Sequence, residues 1–242
     1  MRQQLIRKLV AEYLGSLLLA ALVIGSGIAA GRLSPGQVGL QLVENAAATA
    51  AGLFAIILIF APISGAHFNP VVTLADTALG GLPWRHALAY LPAQIAGCIS
   101  GALLANVMFT VDAVSISTTR RASLPHGVSE AVATIGLLLV IFSLARSGRA
   151  ERTPAAVGAY IGAAYFFTSS TSFANPAITI GRIFSNTFAG ISPTSAPTFI
   201  AAQFAGGVLA VLLIRCLYPA TSRIRTTEIV LSQPTIQPAT HT

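Results

Sequence analysis

Three stretches of this chain are long, apolar and almost free of charge, and this feature limits its possible folds more than any other. Leu9–Ala30, Leu42–Ala61 and Phe199–Leu217 each contain a single charged side chain. A helix needs about 20 consecutive apolar residues to cross the hydrocarbon core of a bilayer. Charged residues make up only 9% of the whole chain, against roughly 25% in a soluble domain. The sequence therefore predicts a polytopic membrane protein and argues against a soluble enzyme.

The apolar pattern predicts six membrane-spanning helices. Their approximate bounds are 5–30, 42–62, 84–108, 127–146, 154–171 and 197–217. The first span follows basic residues, as a signal peptide would, but its apolar run is too long and ends at no small-residue cleavage site. We therefore expect it to be retained. Two shorter apolar segments lie between spans two and three and between spans five and six, and segments of that length are typical of re-entrant pieces.

The two halves of the chain resemble each other. Matching places are occupied by Glu12 and Glu130, by Asn69-Pro70-Val71 and Asn175-Pro176-Ala177, by Gln94 and Gln203, and by Asp76 and Arg182. Three spans in each half is an odd number, so the two repeats must lie inverted in the membrane. Inverted repeats with interrupted helices place the functional site at the midplane, between the halves. We expect one domain over 1–217, with repeats at about 5–108 and 127–217.

Basic residues are distributed unevenly between the two predicted sides. Of the fourteen Lys and Arg, ten fall on the side of the N-terminus: Arg2, Arg7, Lys8, Arg85, Arg146, Arg149, Arg152, Arg215, Arg223 and Arg225. The other four are Arg32, Arg120, Arg121 and Arg182. The positive-inside rule then places both termini in the cytoplasm, with the chain in the cell membrane. The net charge of +7 is thus explained without nucleic acid, and the polar residues 218–242 are expected to form a disordered cytoplasmic tail.

The Asn-Pro pairs at 69–70 and 175–176 have the chemistry of a helix that begins inside the protein. Proline suits the first turn because the N–H that it lacks would be unpaired there. Asparagine is a favoured N-cap, and its amide offers two further donors. Two such helix starts meeting at the midplane would direct positive dipole ends into a pore and repel cations. The amides would donate hydrogen bonds to a neutral solute.

These motifs carry a family resemblance. The run Ser64-Gly65-Ala66-His67-Phe68-Asn69-Pro70-Val71-Val72-Thr73, together with Asn175-Pro176-Ala177, resembles the paired signature of the major intrinsic proteins, which comprise aquaporins and aquaglyceroporins. The resemblance covers residues 5–217. It implies an all-α fold: a right-handed bundle of six transmembrane helices with two re-entrant half-helices. It also implies a homotetramer with one pore per subunit. The first motif departs from the family at Val71, where alanine is usual.

The resemblance assigns roles to several other side chains. Glu12 and Glu130 would hold the re-entrant loops through backbone N–H groups, although charged residues inside a membrane can also relay protons. Gln94 and Gln203 would support the loops or pack the helices. His67 would line the path on its cytoplasmic side.

The expected selectivity filter departs from the family. Water-selective and glycerol-conducting members carry arginine directly after the second Asn-Pro-Ala, where this chain has Ile178. By family spacing the other filter positions are Thr49, Ala163 and Ser172, so no aromatic ring or fixed charge is expected at the narrowing. This favours small uncharged solutes such as glycerol, urea or arsenous acid, with water as a co-permeant. The run from Ser172 to Arg182 resembles a bacterial branch often linked to arsenic resistance.

The sequence leaves the roles of two charged residues, and the choice between several functions, open. Arg182 lies one turn beyond Ile178 and could lean back to replace the missing arginine, or it could form a salt bridge in the outer vestibule. Its repeat mate Asp76 is expected on the surface of the cytoplasmic mouth. A strict water channel, an ion-coupled secondary transporter and a purely structural membrane protein are the alternative functions. No motif for catalysis, a cofactor or a metal is visible.

Overall fold

The computed structural model describes residues 2–219 of the 242-residue chain. The predicted tail at 218–242 lies outside these residues apart from its first two positions. Within the described part the chain forms eight α-helices: α1 (Arg2–Leu33), α2 (Val38–Ser64), α3 (Pro70–Ala78), α4 (Trp84–Met108), α5 (Leu124–Arg146), α6 (Thr153–Phe167), α7 (Pro176–Gly181) and α8 (Ala196–Leu217). The predicted all-α fold, with two short helices between the long ones, is confirmed.

The long helices match the predicted spans with one difference. Five of them, α1, α2, α4, α5 and α8, are long and apolar enough to cross a membrane. Helix α6 has 15 residues, or about 22 Å at a rise of 1.5 Å per residue, and the 3-10 turn Ala150–Arg152 directly precedes it. The sequence-based end of this span, at residue 171, is wrong. The helix stops at Phe167 because Thr168 adopts an extended conformation.

The two halves have the same internal arrangement. Helix α1 packs against α2 and α4, and in the second half α5 packs against α6 and α8. The halves meet where α2 packs on α6, where α3 packs on α8 and where α7 packs on α4. Each short helix is therefore held partly by the other half. We call the end of the bundle where α1 begins and α8 ends the terminal face; the opposite face carries the loops 109–123 and 182–195.

Glycines allow the long helices to approach at backbone contact. A Cβ added to Gly206 of α8 would lie 2.6 Å from the carbonyl oxygen of Ala131 in α5. The matching Gly97 of α4 meets the backbone of Tyr13 in α1 in the same way. Close approach through small residues is a common way for helices to associate in membranes, where apolar side chains gain little by leaving lipid.

The unusual Val71 is accommodated by a second glycine of α8. A Cβ added to Gly207 would lie 2.5 Å from a methyl group of Val71. By the repeat, Ala177 matches Val71, and Cys98 matches Gly207. The first half therefore carries the larger residue at both positions, Val71 and Cys98, and the second half carries the smaller one, Ala177 and Gly207.

We predict that Gly207→Ala destabilises the fold by about 1–3 kcal/mol, because an extra methyl group in a packed contact forces side chains or backbone to shift. Valine cannot easily turn away, since its χ1 is restricted in a helix. The double variant Val71→Ala/Gly207→Ala should recover most of the loss. Thermal unfolding of the detergent-solubilised protein, followed by size-exclusion chromatography, measures both changes.

Gly31→Ala is the matched control. It also lies in a helix, but no atom would lie within 4 Å of the added Cβ, so it should be neutral or mildly stabilising. Equal losses for both single variants, or no recovery in the double variant, would contradict the packing argument.

Candidate pore

The two short helices begin as their sequences predict. Asn69 and Asn175 are N-caps: their Oδ1 atoms accept hydrogen bonds from the backbone N–H groups of Val71 and Ala177, each at 2.9 Å. The proline after each asparagine fills the first turn. The side-chain oxygen of each asparagine is thus used inside its own helix, and its amide nitrogen is left to point elsewhere.

Each amide nitrogen reaches the other half of the chain. Nδ2 of Asn69 donates to the carbonyl of Ala174 at 2.7 Å, and Nδ2 of Asn175 donates to the carbonyl of Phe68 at 2.8 Å. The two helix starts therefore face each other in direct contact. An amide NH₂ carries two hydrogens, so each asparagine keeps one for a molecule in the cavity that both residues line.

The loops that lead into the two helices have an unusual backbone. Ala66 and Phe68 have φ values of 53° and 50°, and the matching Ser172 and Ala174 have 51° and 47°. Residues other than glycine rarely adopt this left-handed conformation, which costs on the order of 1–3 kcal/mol each and persists only where surrounding contacts enforce it. The same alternation in both loops indicates that they are held in the same way.

Glu12 holds the first loop. Its carboxylate accepts hydrogen bonds from the backbone N–H groups of His67 at 3.0 Å and Phe68 at 2.8 Å. It also accepts hydrogen bonds from the hydroxyl of Ser64 at 2.6 Å and from the side-chain amide of Gln94 at 2.8 Å. Four donors around one fully buried carboxylate supply the partners that a buried charge requires.

Glu130 holds the second loop by the same contacts. Its carboxylate accepts hydrogen bonds from the backbone N–H groups of Phe173 at 2.9 Å and Ala174 at 2.8 Å, and from the side-chain amide of Gln203 at 2.6 Å. Gln203 also donates to Thr179 of α7 at 2.9 Å, as Gln94 does to Thr73 of α3 at 2.8 Å. Both glutamines therefore tie a loop anchor to a half-helix.

The anchored N–H groups decide where the loop carbonyls point. In a trans peptide the C=O lies opposite the N–H of the next residue. Because the N–H groups of residues 67 and 68 face Glu12, the carbonyls of residues 66 and 67 point away from it, and residues 65–69 line the cavity. The same holds for the carbonyls of residues 172 and 173, opposite Glu130. Hydrogen-bond acceptors thus flank the two asparagine donors.

The cavity has a volume of about 300 Å³ and runs between the four helices α1, α2, α5 and α6. These helices contribute residues mostly at intervals of four, which places them on one face. The lining positions include Leu19 and Val23 of α1, Thr49, Leu53, Ile57 and Ala61 of α2, Leu137 and Ile141 of α5, and Val157, Ile161 and Tyr165 of α6. The walls are therefore mainly apolar, and most of the polar groups come from the loops.

The cavity reaches the terminal face beside the loop 150–154, where Glu151 and Thr153 line it. Toward the opposite face its lining ends with Thr49, Tyr165, Phe173, Ile178 and Arg182. The hydroxyls of Thr49 and Tyr165 lie 3.1 Å apart. Arg182 lies over the Phe173 ring, with Cζ 3.4 Å from the ring centroid. Among the described residues, none from 109–123 or 185–195 lines the cavity.

One of the four predicted filter residues lies elsewhere. Thr49, Ser172 and Ile178 line this end of the cavity, but Ala163 is exposed on the outer surface of α6. Tyr165 takes its place in the cavity. Two residues correspond to about 200° around an α-helix, so both cannot face inward. The spacing of Val157, Ile161 and Tyr165 at intervals of four was the sequence signal that could have identified the inward face.

The sequence suggested neither an aromatic ring nor a fixed charge at the narrowing. In the structure, Tyr165, Phe173 and Arg182 line the same end of the cavity as Thr49, Ser172 and Ile178, and they supply both. Among residues 2–219, Arg182 has no partner for an outer salt bridge: it is 2% exposed, and its Nε donates to the carbonyl of Ala189. The hydroxyl of Ser172 is buried and has no protein partner among the described residues.

Asp76 is not on the surface either. It is 3% exposed, and its Oδ2 lies 3.7 Å from Nε2 of His67. Asp76 does not line the cavity itself, whereas His67 does. Nδ1 of His67 lies 3.1 Å from the hydroxyl of Thr73, so the ring is held from both nitrogens.

Known proteins are similar to this chain in sequence. The family profile described as Major intrinsic protein matches residues 1–174. Aquaglyceroporin AqpS of Rhizobium meliloti (strain 1021) is 46% identical over 225 residues, which cover 93% of this chain and 96% of that protein. Aquaporin NIP6-1 of Arabidopsis thaliana is 33% identical over 162 residues, which cover 65% of this chain and 52% of that protein.

A solved structure shares the fold. The X-ray structure of the aquaglyceroporin from Plasmodium falciparum matches with a TM-score of 0.68 and 20% identity, covering 87% of this chain and 95% of that one. The profile match ends at residue 174, directly before Asn175, but two side-chain hydrogen bonds of Asn175, from Nδ2 to the carbonyl of Phe68 and from the N–H of Ala177 to Oδ1, repeat those of Asn69. From the profile match, the similarity to AqpS over nearly the whole chain and the paired helix starts, we conclude that this chain belongs to the major intrinsic protein family of membrane channels.

Proposed function

We propose that this chain is a passive channel for small uncharged solutes of the glycerol, urea or metalloid-acid type, arsenous acid among them, and that water also passes. The observation that carries the proposal is the pair of asparagine amides, Asn69 and Asn175, meeting in a cavity whose walls are mostly apolar. A solute that can accept and donate hydrogen bonds on one side, and present carbon or a polarisable atom on the other, suits such a path.

The sequence of polar groups along the cavity supports this class of solute. Carbonyls of both loops accept hydrogen bonds, and the asparagine amides between them donate. A hydroxyl or amide group of the solute can form hydrogen bonds with these acceptors and donors in turn as it moves along the cavity. These hydrogen bonds replace the ones to water that the solute loses on entry. The apolar stripes of α2 and α6 offer no such replacement to a fully hydrated ion, because burying an unpaired charge is far more costly than burying a neutral group.

An ion-coupled transporter is less well supported. Such a protein needs carboxylates that can bind and release a coupling ion. The carboxylates of Glu12 and Glu130 face loop N–H groups, and neither residue lines the cavity. We infer that their role is to hold the loops, that the chain performs no chemistry, and that it needs no cofactor.

We also infer a homotetramer in the plasma membrane with cytoplasmic termini. The distribution of Lys and Arg supports this orientation, since the terminal face carries most of them. The exposed apolar side chains of the long helices are suited to lipid and to neighbouring subunits. The tetramer itself is supported by the family alone.

The proposal predicts solute flux that is proportional to the gradient and independent of added ions. Stopped-flow light scattering on proteoliposomes should show faster equilibration than in empty liposomes for water, glycerol, urea and arsenous acid. Conduction of water alone would favour the strict water channel. Saturable, ion-dependent uptake would favour the transporter, and no flux at all would favour a structural role.

The two candidate positions on α6 allow a matched test. Tyr165→Ala removes a ring from the end of the cavity away from the terminal face and should raise glycerol and urea permeability several-fold, with a smaller effect on water. Ala163→Leu changes an exposed position on the same helix and should leave all three rates within experimental error. The opposite pattern would show that Ala163, not Tyr165, faces the path.

Replacement of Glu12 separates the anchoring role from a proton relay. Glu12→Gln weakens contacts to two N–H donors, and hydrogen bonds to charged groups contribute about 1.5–3 kcal/mol each. We expect lower thermal stability together with a loss of water and glycerol flux, and the same result for Glu130→Gln. The exposed Asp112→Asn is the control. A stable Glu12→Gln variant with unchanged passive flux would contradict the anchoring role.

A further inference from the structure

Arg182 is a buried charge at the end of the cavity away from the terminal face. Its side chain is 2% exposed, yet it lines the cavity. Within residues 2–219, basic side chains contact carboxylates at His67–Asp76 and Arg152–Glu151, and no carboxylate contacts Arg182. A permeating molecule at this end therefore passes a guanidinium that has no contacting counter-charge.

Two contacts fix the guanidinium in place. Its carbon atom lies 3.4 Å from the centroid of the Phe173 ring, a distance typical of a stacked cation–π contact. Nε donates to the carbonyl of Ala189. Arginine has five N–H donors, so this bond leaves others for a molecule in the cavity.

A second arginine, Arg121, holds the segment 188–190, whose Ala189 carbonyl accepts the hydrogen bond from Arg182. Nε of Arg121 donates to the carbonyl of Gly190 at 3.0 Å, and Nη2 of Arg121 donates to the carbonyl of Phe188 at 3.3 Å. The Ala189 carbonyl between them is the one that Arg182 uses. Three successive carbonyls thus accept hydrogen bonds from two arginines, and Arg121 also lies 5.6 Å from the centroid of Phe173.

The same segment is packed against the bundle. Ala189 is 1% exposed, and a Cβ added to Gly27 of α1 would lie 3.1 Å from its Cβ. The loop 115–119 lies along the segment as well, with the N–H of Ser117 donating to Ile183 at 2.8 Å and that of Ser192 donating to Thr119 at 2.8 Å. Arg182 therefore has a fixed support, as a side chain that sets selectivity requires.

We propose that Arg182 is the cation barrier of this pore and that Arg121 is the residue that positions it. The inference rests on the proposed function as a passive channel. The positive charge is carried by Arg182, one helical turn beyond Ile178, and it lies next to the apolar side chain of Ile178. Neutral solutes can accept hydrogen bonds from the guanidinium, whereas a cation meets an unscreened like charge within a few ångströms.

Urea and the guanidinium ion provide a matched pair of probes, because both are small and planar and they differ in charge. Proteoliposomes containing the wild-type chain should admit urea and exclude guanidinium. Arg182→Gln should raise guanidinium permeability about tenfold or more. The repulsion between two unit charges a few ångströms apart in a partly desolvated site lowers permeability by more than a factor of about ten. Urea permeability should change by less than that factor, and proton leak, read with an internal pH dye, should rise.

Four further variants test charge against packing. Arg182→Lys keeps the positive charge, so this variant should still exclude guanidinium. Ile178→Arg/Arg182→Gln returns a charge one turn away and should restore exclusion. Arg121→Gln leaves Arg182 in the chain but frees the segment 188–190, so it should leak to an intermediate degree, whereas Arg121→Lys should leak less.

Arg32→Gln is the control for these variants. Arg32 also contacts a ring and a carbonyl, both of Phe109, but it does not line the cavity, and exclusion should persist. If Arg182→Gln conducts urea and still excludes guanidinium, or if Arg182→Lys leaks as much as Arg182→Gln, the barrier role is wrong. If the wild-type vesicles conduct no neutral solute, the proposed channel function itself fails, which is a separate result.

Discussion

In each half of this chain, one buried carboxylate accepts hydrogen bonds from two consecutive peptide N–H groups of a loop without regular structure. The contact of Glu12 with residues 67 and 68 and that of Glu130 with residues 173 and 174 compensate the left-handed backbone at these places. They also turn the loop carbonyls toward the cavity. Without them the asparagines would have no fixed position, and the path would lose both its donors and its acceptors.

The repeat explains why so much of the site could be predicted from sequence. Residues that act on the backbone, such as Asn69 and Glu12, are tied to fixed offsets from a motif, and the second copy confirms the register of the first. The rotation of α6 could not be read in this way. That helix is apolar on all sides, so its sequence carries no strong amphipathic signal, and the assignment of Ala163 in place of Tyr165 resulted. The direction of Arg182 depends on the loop 185–191, which has no counterpart motif.

The two repeats differ most in charge. Asp76 and Arg182 occupy matching positions, and each contacts the ring two residues before its asparagine: Asp76 lies 3.7 Å from His67, and Arg182 lies over Phe173 at 3.4 Å. The same backbone geometry thus places an acid near the terminal face and a base near the opposite face. The helix starts at the centre add positive ends on both sides, so the electrostatic profile along the path is asymmetric although the scaffold is nearly symmetric.

The difference in size between Val71 and Cys98 of the first half and Ala177 and Gly207 of the second half limits how such a chain can arise. A protein assembled from two copies of the first half would set a valine against a cysteine at both junctions, which is too much volume for a space that leaves no room for a single methyl group at Gly207. Two copies of the second half would leave a gap at both. The halves are therefore complementary and not interchangeable, and a substitution in either one restricts which residues its counterpart can accept.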